Sequence, residues 1–255
     1  RKVYMRSAFL LLSICLATAP VWAQGRGGGA PNREANVSSV SNDRLLNANK
    51  EPQNWLTYSG NLMSQRHSPL TQITPDNAKD LTLKWVFQSR SLEKHEVTPI
   101  VVDGVMYTVQ GITDVVALDA KTGKTIWVYN YKNDPAARNC CGQETRGLAI
   151  YGDKIFLAQL DTNVTAINAK TGKEVWKTQA ADPKQGYSMT HAPIVVKYKV
   201  IAGVAGGEFA DARCRAHQDK VRHVHAANQQ DEDRAERDQR GGAVANDRPL
   251  LVGLW

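Results

Sequence analysis

The sequence is poor in cysteine. It has four in 255 residues, and two of them, Cys140 and Cys141, are neighbours that cannot staple distant parts of the chain together. No second Cys/His pair at zinc spacing accompanies them, so the usual structural zinc patterns are missing. Long apolar runs are missing too: the one candidate, Ala8 to Ala23, is too short to span a bilayer comfortably. There is no stripe of basic residues interleaved with aromatics. The formal net charge of +7 comes from lysines scattered through repeated turns, the pattern of a solvated surface, and this argues against nucleic acid as a partner.

What is present suits an exported, folded protein. With 42% hydrophobic and 22% charged residues the chain can build a packed core, as one large domain or two small ones. Lys2 and Arg6 precede the apolar run, which ends in Val21-Trp22-Ala23, a small-residue cleavage site. Residues 1–23 therefore read as a secretory signal, with no integral membrane span after its removal. The first methionine is Met5, so translation is expected to start downstream of Arg1. Cys15, preceded by Ile14, sits inside the signal and does not read as a lipid-attachment site. Export places the remaining cysteines where disulfides persist. Residues 24–50, rich in Gly, Asn and Ser from Gly25 to Ser39, are predicted to be a flexible leader.

Ordered sequence is expected from Glu51, and it contains an internal repeat. "ALDAKTGKTIW" (Ala117 to Trp127) returns as "AINAKTGKEVW" (Ala166 to Trp176), and "VMYTVQ" at Val105 returns at the same offset as "KIFLAQ" at Lys154. "TPIVVDGVMYT" from Thr98 returns as "HAPIVVKYKVIAG" from His191. Each unit reads as short β-strands joined by turns. In those turns Asp119 or Asn168 bonds nearby backbone, and Gly123 or Gly172 takes a positive φ. Short strands at this period with one tryptophan per repeat predict an all-β chain, a β-propeller whose tryptophans pack between adjacent blades.

The adjacent cysteines need their own explanation. Consecutive Cα atoms are about 3.8 Å apart, closer than the usual disulfide range of about 4.4–6.8 Å. A bond between Cys140 and Cys141 closes a small strained ring and restrains little of the unfolded chain, so its stabilisation by loop closure is small. A costly feature with little stability return points to function. Two free thiols and a metal-ligand pair are the alternatives; export argues against thiols, and no partner ligands stand at zinc spacing.

The repeat "A-x-[DN]-A-K-T-G-K-x-x-W", the leading "NWLTYSGNLMSQRHSPLTQIT" from Asn54, and Cys140-Cys141 followed by Arg146 together resemble the quinoprotein alcohol dehydrogenases. These are exported propellers that use pyrroloquinoline quinone (PQQ). The resemblance runs from about Asn54 to Phe209. It implies an eight-bladed propeller of which residues 51–209 supply about three N-terminal blades. It also implies that Cys140 and Cys141 form a vicinal disulfide stacked on the flat quinone, and that Arg146 lies near the quinone oxygens. A guanidinium is always charged and offers a planar fork, so it suits that anion better than lysine. Glu96 matches a glutamate that bonds the cofactor, and Thr190 a hydroxyl that bonds a PQQ carboxylate. In "VAGGEF" (Val204 to Phe209), Ala205, Gly206 and Gly207 let backbone approach the ligand. Many relatives have serine at the position of Ala205, so one side-chain hydrogen bond to the cofactor is missing there. Glu208 matches a ligand to calcium or a lanthanide, a hard cation that takes oxygen donors and polarises the quinone. His191 is read as structural, because the family's base is an aspartate in a later blade; no catalytic residue is assigned in this chain. By resemblance the whole enzyme is periplasmic, oxidises primary alcohols and passes electrons to a cytochrome c.

After Phe209 the character changes. Residues 210–255 form an atypical tail; from Ala210 to Asp247 there is no aromatic residue, strand alternation or repeat turn. Its ordinary reading is a charged helix or disordered segment. "RCRAHQDKVRHVH" fits no familiar metal-ligand spacing. The preferred account is a slipped reading frame near Phe209, which leaves Cys214 without a selected role. Three open blades would leave half a cofactor pocket, so this stretch alone is expected not to oxidise alcohols. Three rival readings are a non-catalytic propeller scaffold of the outer-membrane assembly type, an inactive truncated fragment, and a quinoprotein acting on sugars or aldehydes. Quinone-binding groups argue against the scaffold, and the paired cysteines favour alcohols.

Overall fold

The computed structural model describes residues 33–90, 94–111, 113–137, 142–196, 199–205, 221–225 and 253–254. Three antiparallel four-stranded sheets follow one another along the chain. The first contains β1 (Ile100–Val102), β2 (Val105–Gln110), β3 (Asp114–Asp119) and β4 (Thr125–Tyr129), in chain order. The second repeats that order with β5 (Ala149–Tyr151), β6 (Lys154–Ala158), β7 (Asn163–Asn168) and β8 (Glu174–Gln179). The third contains β9 (Ile194–Val196), β10 (Lys199–Ala202), β11 (Val221–His225) and β12 (Gly253–Leu254). These are propeller blades in the predicted succession, and the first two share even their irregularity. The register slips between Ala117 and Leu118 in one, and between Ala166 and Ile167 in the other.

The repeated turns form as their sequence requires. The Asp119 carboxylate accepts from the backbone N–H groups of Lys121 and Thr122 at 3.0 and 2.8 Å. Asn168 does the same for Lys170 and Thr171, both at 3.0 Å. Gly123 and Gly172 then close the turns at φ +69° and +70°, in the left-handed region that a side chain rarely enters. Each closed turn receives a tryptophan from earlier in the chain. Trp85 donates its ring N–H to the Ala120 carbonyl at 3.1 Å, and Trp127 donates to Ala169 at 3.1 Å. The rings lie flat over the glycines, so a Cβ added at Gly172 would stand 2.6 Å from the Trp127 ring. The tryptophans therefore do pack between blades. Trp127 is fully buried, and the Tyr107 hydroxyl donates to the same Ala169 carbonyl at 3.0 Å.

Two stretches differ from their sequence-based expectation. Residues 33–50, the described part of the expected flexible leader, form a strap with a short helix α1 (Asn42–Leu46) capped by Ser41. Val37, Val40 and Leu45 are buried in the core cluster of the first two blades. Val40 pairs with Gly152, and Ala35 donates its N–H to the Lys170 carbonyl. The Arg44 guanidinium joins Glu51 at 2.6 Å to Asp103 at 2.9 Å. Its hydrogen bond holds the Glu51 carboxyl below the usual carboxylate range. Apolar anchors spaced among polar residues, rather than a continuous run, fix this segment. The second difference lies in the tail, where β11 pairs with β10 from Lys199↔His225 to Ala202↔Arg222. An open strand edge supplies a backbone ladder that needs no side-chain alternation. Among the described residues no helix is long and apolar enough to cross a membrane.

Candidate functional site

Each blade begins with an extended segment that leads into its first strand, and these segments lie side by side. Thr98 donates its N–H to the Arg146 carbonyl at 2.9 Å, and Arg146 donates its own to the Thr190 carbonyl at 2.8 Å. Thr98 and Gly147 form a parallel bridge. A Cβ added at Gly147 would come within 3.3 Å of the Thr98 carbonyl oxygen and of Ala192. Close backbone approach thus sets three blades edge to edge at one end.

This packing gathers three of the residues singled out from the sequence. The Arg146 guanidinium donates through Nη1 to Thr190 Oγ1 at 2.7 Å, and its Nη2 lies 3.2 Å from Glu96 Oε2. Held on both sides, the Arg146 side chain remains 41% exposed, so the fork is fixed and still open to a ligand. Ala205 pairs with Ser188, two residues before Thr190, with N–H to carbonyl bonds of 2.8 and 2.9 Å in the two directions. His191 is not poised as a base. Its Nε2 accepts the Gly203 N–H at 3.0 Å, and burial, then the Arg146 charge, holds its pKa below the ordinary imidazole value. Cys140, Cys141, Gly206, Gly207 and Glu208 lie outside the described residues, as do the signal segment and Cys214. Gly142, directly after the cysteine pair, packs beneath Glu144 and Lys94.

Two charged residues at this edge escape a reading of the sequence. Glu144 is buried, with 7% of its side chain exposed; its Oε1 lies 3.7 Å from Arg146 Nη2 and its Oε2 lies 3.4 Å from Lys94 Nζ. In isolation each looks like an ordinary solvated charge. The available signal is spacing: Lys94 with Glu96, and Glu144 with Arg146, are opposite charges two residues apart, which share one face of an extended chain.

Fold and edge together define a class: a tryptophan-docked propeller with a fixed, accessible guanidinium where its blades converge. The chain belongs to the PQQ-type glucose/ethanol/alcohol dehydrogenase β-propeller family, which it matches over residues 55–223. It is 40% identical over 174 residues to the quinoprotein alcohol dehydrogenase PedH of Pseudomonas putida, covering 68% of this chain and 29% of that protein. Among solved structures, the quinohemoprotein alcohol dehydrogenase ADHIIG of Pseudomonas putida HK5 superposes with a TM-score of 0.69 at 38% identity, over 75% of this chain and 28% of the other. A europium-containing methanol dehydrogenase gives a TM-score of 0.66 at 37% identity, over 72% and 32%. The chain therefore spans about a third or less of the proteins it resembles.

Proposed function

We propose that this chain is the N-terminal part of a periplasmic quinoprotein dehydrogenase that oxidises primary alcohols with PQQ and passes electrons to a cytochrome c. The observation that carries the reading is the convergence of Glu96, Arg146 and Thr190 from three successive blades. The donor set fits the cofactor. PQQ is a flat polyanion, and Arg146 offers it a rigid, permanently charged fork that is half open to solvent. Thr190 would donate its hydroxyl to a cofactor carboxylate, and Glu96 would accept from the cofactor while aiming the arginine. Cys140 and Cys141 would close the vicinal disulfide beneath the ring, with the backbone of Ala205, Gly206 and Gly207 approaching its edge. Glu208 would supply an oxygen ligand to calcium or a lanthanide, the choice that the europium-containing relative leaves open. When bound, the quinone accepts the electrons of alcohol oxidation; the protein provides position and electrostatics. Boundaries at residues 23 and 209, and a slipped frame after Phe209, belong to the same proposal.

The test is to express the whole open reading frame with its signal, purify the exported product, and add PQQ with calcium or lanthanum. After gel filtration the protein should retain one PQQ per chain and reduce an artificial electron acceptor when ethanol is added. Residues 33–205 alone should show no turnover. Failure of the full product to retain PQQ with either metal would overturn the reading. Retention without alcohol-dependent reduction would move it to the sugar and aldehyde quinoproteins.

A further inference from the structure

The carboxylate of Glu144 has two cations and an unusual degree of burial to account for. Its Oε1 faces Arg146 and its Oε2 faces Lys94, yet Oε2 accepts no hydrogen bond within the described residues. A buried carboxylate costs several kcal/mol unless it is paired, so a surface role does not explain it. Lys94 has the opposite character: its side chain is 58% exposed, and it lies against Gly142 at the end of the cysteine loop. One buried anion thus stands between two accessible cations, on the edge where the blade segments meet.

We propose that Lys94 is a second anion-binding cation of the cofactor site, and that Glu144 is the positioning residue that sets Lys94 and Arg146 side by side. The inference rests on the PQQ reading above and extends it to two residues outside the family's familiar set. The charge balance gives the reason. Arg146 is already shared with Glu96, Glu144 and Thr190, so a single guanidinium partly neutralised by two carboxylates is a poor match for three ligand carboxylates. A lysine held nearby by a carboxylate behind it adds a second positive group. Its compact ammonium reorients among acceptors where the arginine fork does not. The pair also ties segment 94–98 to loop 142–147, so the gap between the first two blades keeps its width.

The experiment uses the full-length exported protein freed of cofactor, with PQQ and excess calcium, in equilibrium dialysis at salt concentrations from about 0.02 to 0.5 M. Lys94→Gln should raise the PQQ dissociation constant about tenfold, the weight of one charge-assisted contact. It should also flatten the salt dependence and lower the thermal midpoint, since it removes one of the cations paired with the buried Glu144 carboxylate. Lys94→Arg should restore most of the affinity. Glu144→Gln should also weaken binding, although it removes a negative charge beside an anion, and adding Lys94→Gln to it should cost little more. Wild-type affinity and salt slope in Lys94→Gln would overturn the role of Lys94. Tighter binding by Glu144→Gln, or full additivity of the two changes, would overturn the positioning role. If the wild type binds no PQQ, the parent reading falls and this inference with it; wild-type binding with an unaffected Lys94→Gln sinks this inference alone.

Discussion

The strands β4 and β8 close equivalent repeats, each two residues after an A-K-T-G turn, yet the protein treats them differently. In β4, Trp127 is wholly buried and hydrogen-bonded to Ala169, and Tyr129 is buried beside it. In β8, Trp176 is only partly buried, Val175 is 47% exposed, and no residue of the strand is fully covered. The Trp176 ring N–H is buried but has no hydrogen-bond partner among the described residues. What distinguishes the two is the neighbour. The turn at Asn168–Gly172 covers β4, whereas no described turn covers β8. A docking tryptophan is therefore completed by the following blade's carbonyl and glycine, and the strand that carries it supplies only half of the contact.

The sharpest way to break this comparison is to truncate both rings. Trp127→Ala should cost about 3–5 kcal/mol of unfolding free energy, the range for deleting a large buried aromatic. Trp176→Ala should cost about 1 kcal/mol, because it loses chiefly its tilted contact with Phe156 at 5.9 Å. Urea unfolding midpoints compare the two directly. Equal losses would show that each tryptophan stabilises its own blade, and the neighbour-dependence argued from β4 and β8 would be wrong.

A smaller effect isolates the receiving half of the contact. Gly172→Ala places a methyl 2.6 Å from the Trp127 ring at φ +70°. It should cost about 1–3 kcal/mol for overlap, in addition to about 1–2 kcal/mol for the left-handed backbone. Gly104→Ala has a similar φ of +81° with nothing within 4 Å of the added carbon, so it should show the backbone cost alone. The difference between the two midpoints measures the docking contact. If they coincide, the ring is not seated against the glycine.

These contacts also show what the sequence makes legible. The turns at Asp119 and Asn168, the glycines that close them and the succession of strands are all local. Each is decided by residues a few positions apart, so the repeat announces them. The meeting of Glu96, Arg146 and Thr190 is legible only indirectly, because each precedes the first strand of its blade and the repeat brings equivalent positions together. The strap at residues 33–50 is hidden, because Val37, Val40 and Leu45 are spread among polar residues and find their burial in a core built by residues far along the chain. Glu144 is hidden for a related reason. Nothing local distinguishes a carboxylate that will be buried between two cations from one that stays in water. The pairing of β11 with β10 is a backbone property with no side-chain pattern to reveal it.

The mildest effect concerns how firmly the third blade is attached. His191 accepts the Gly203 N–H across the blade's first two strands, and burial with the Arg146 charge holds its pKa below the ordinary value. Below about pH 6.5, the unfolded chain binds a proton at this residue that the folded chain refuses. Stability must then fall as pH drops through that value and level off once the folded-state pKa is passed. His191→Gln keeps an acceptor for Gly203 and should remove this part of the pH dependence, seen as a smaller change in unfolding midpoint between about pH 7.5 and 5. Where the effect appears matters as much as its sign. If β9 and β10 melt with the first two blades, the single unfolding transition should shift. If the missing cover over β8 leaves the third blade on its own, only an early, separate transition should respond, and the contrast between β4 and β8 would extend from one strand to a whole blade.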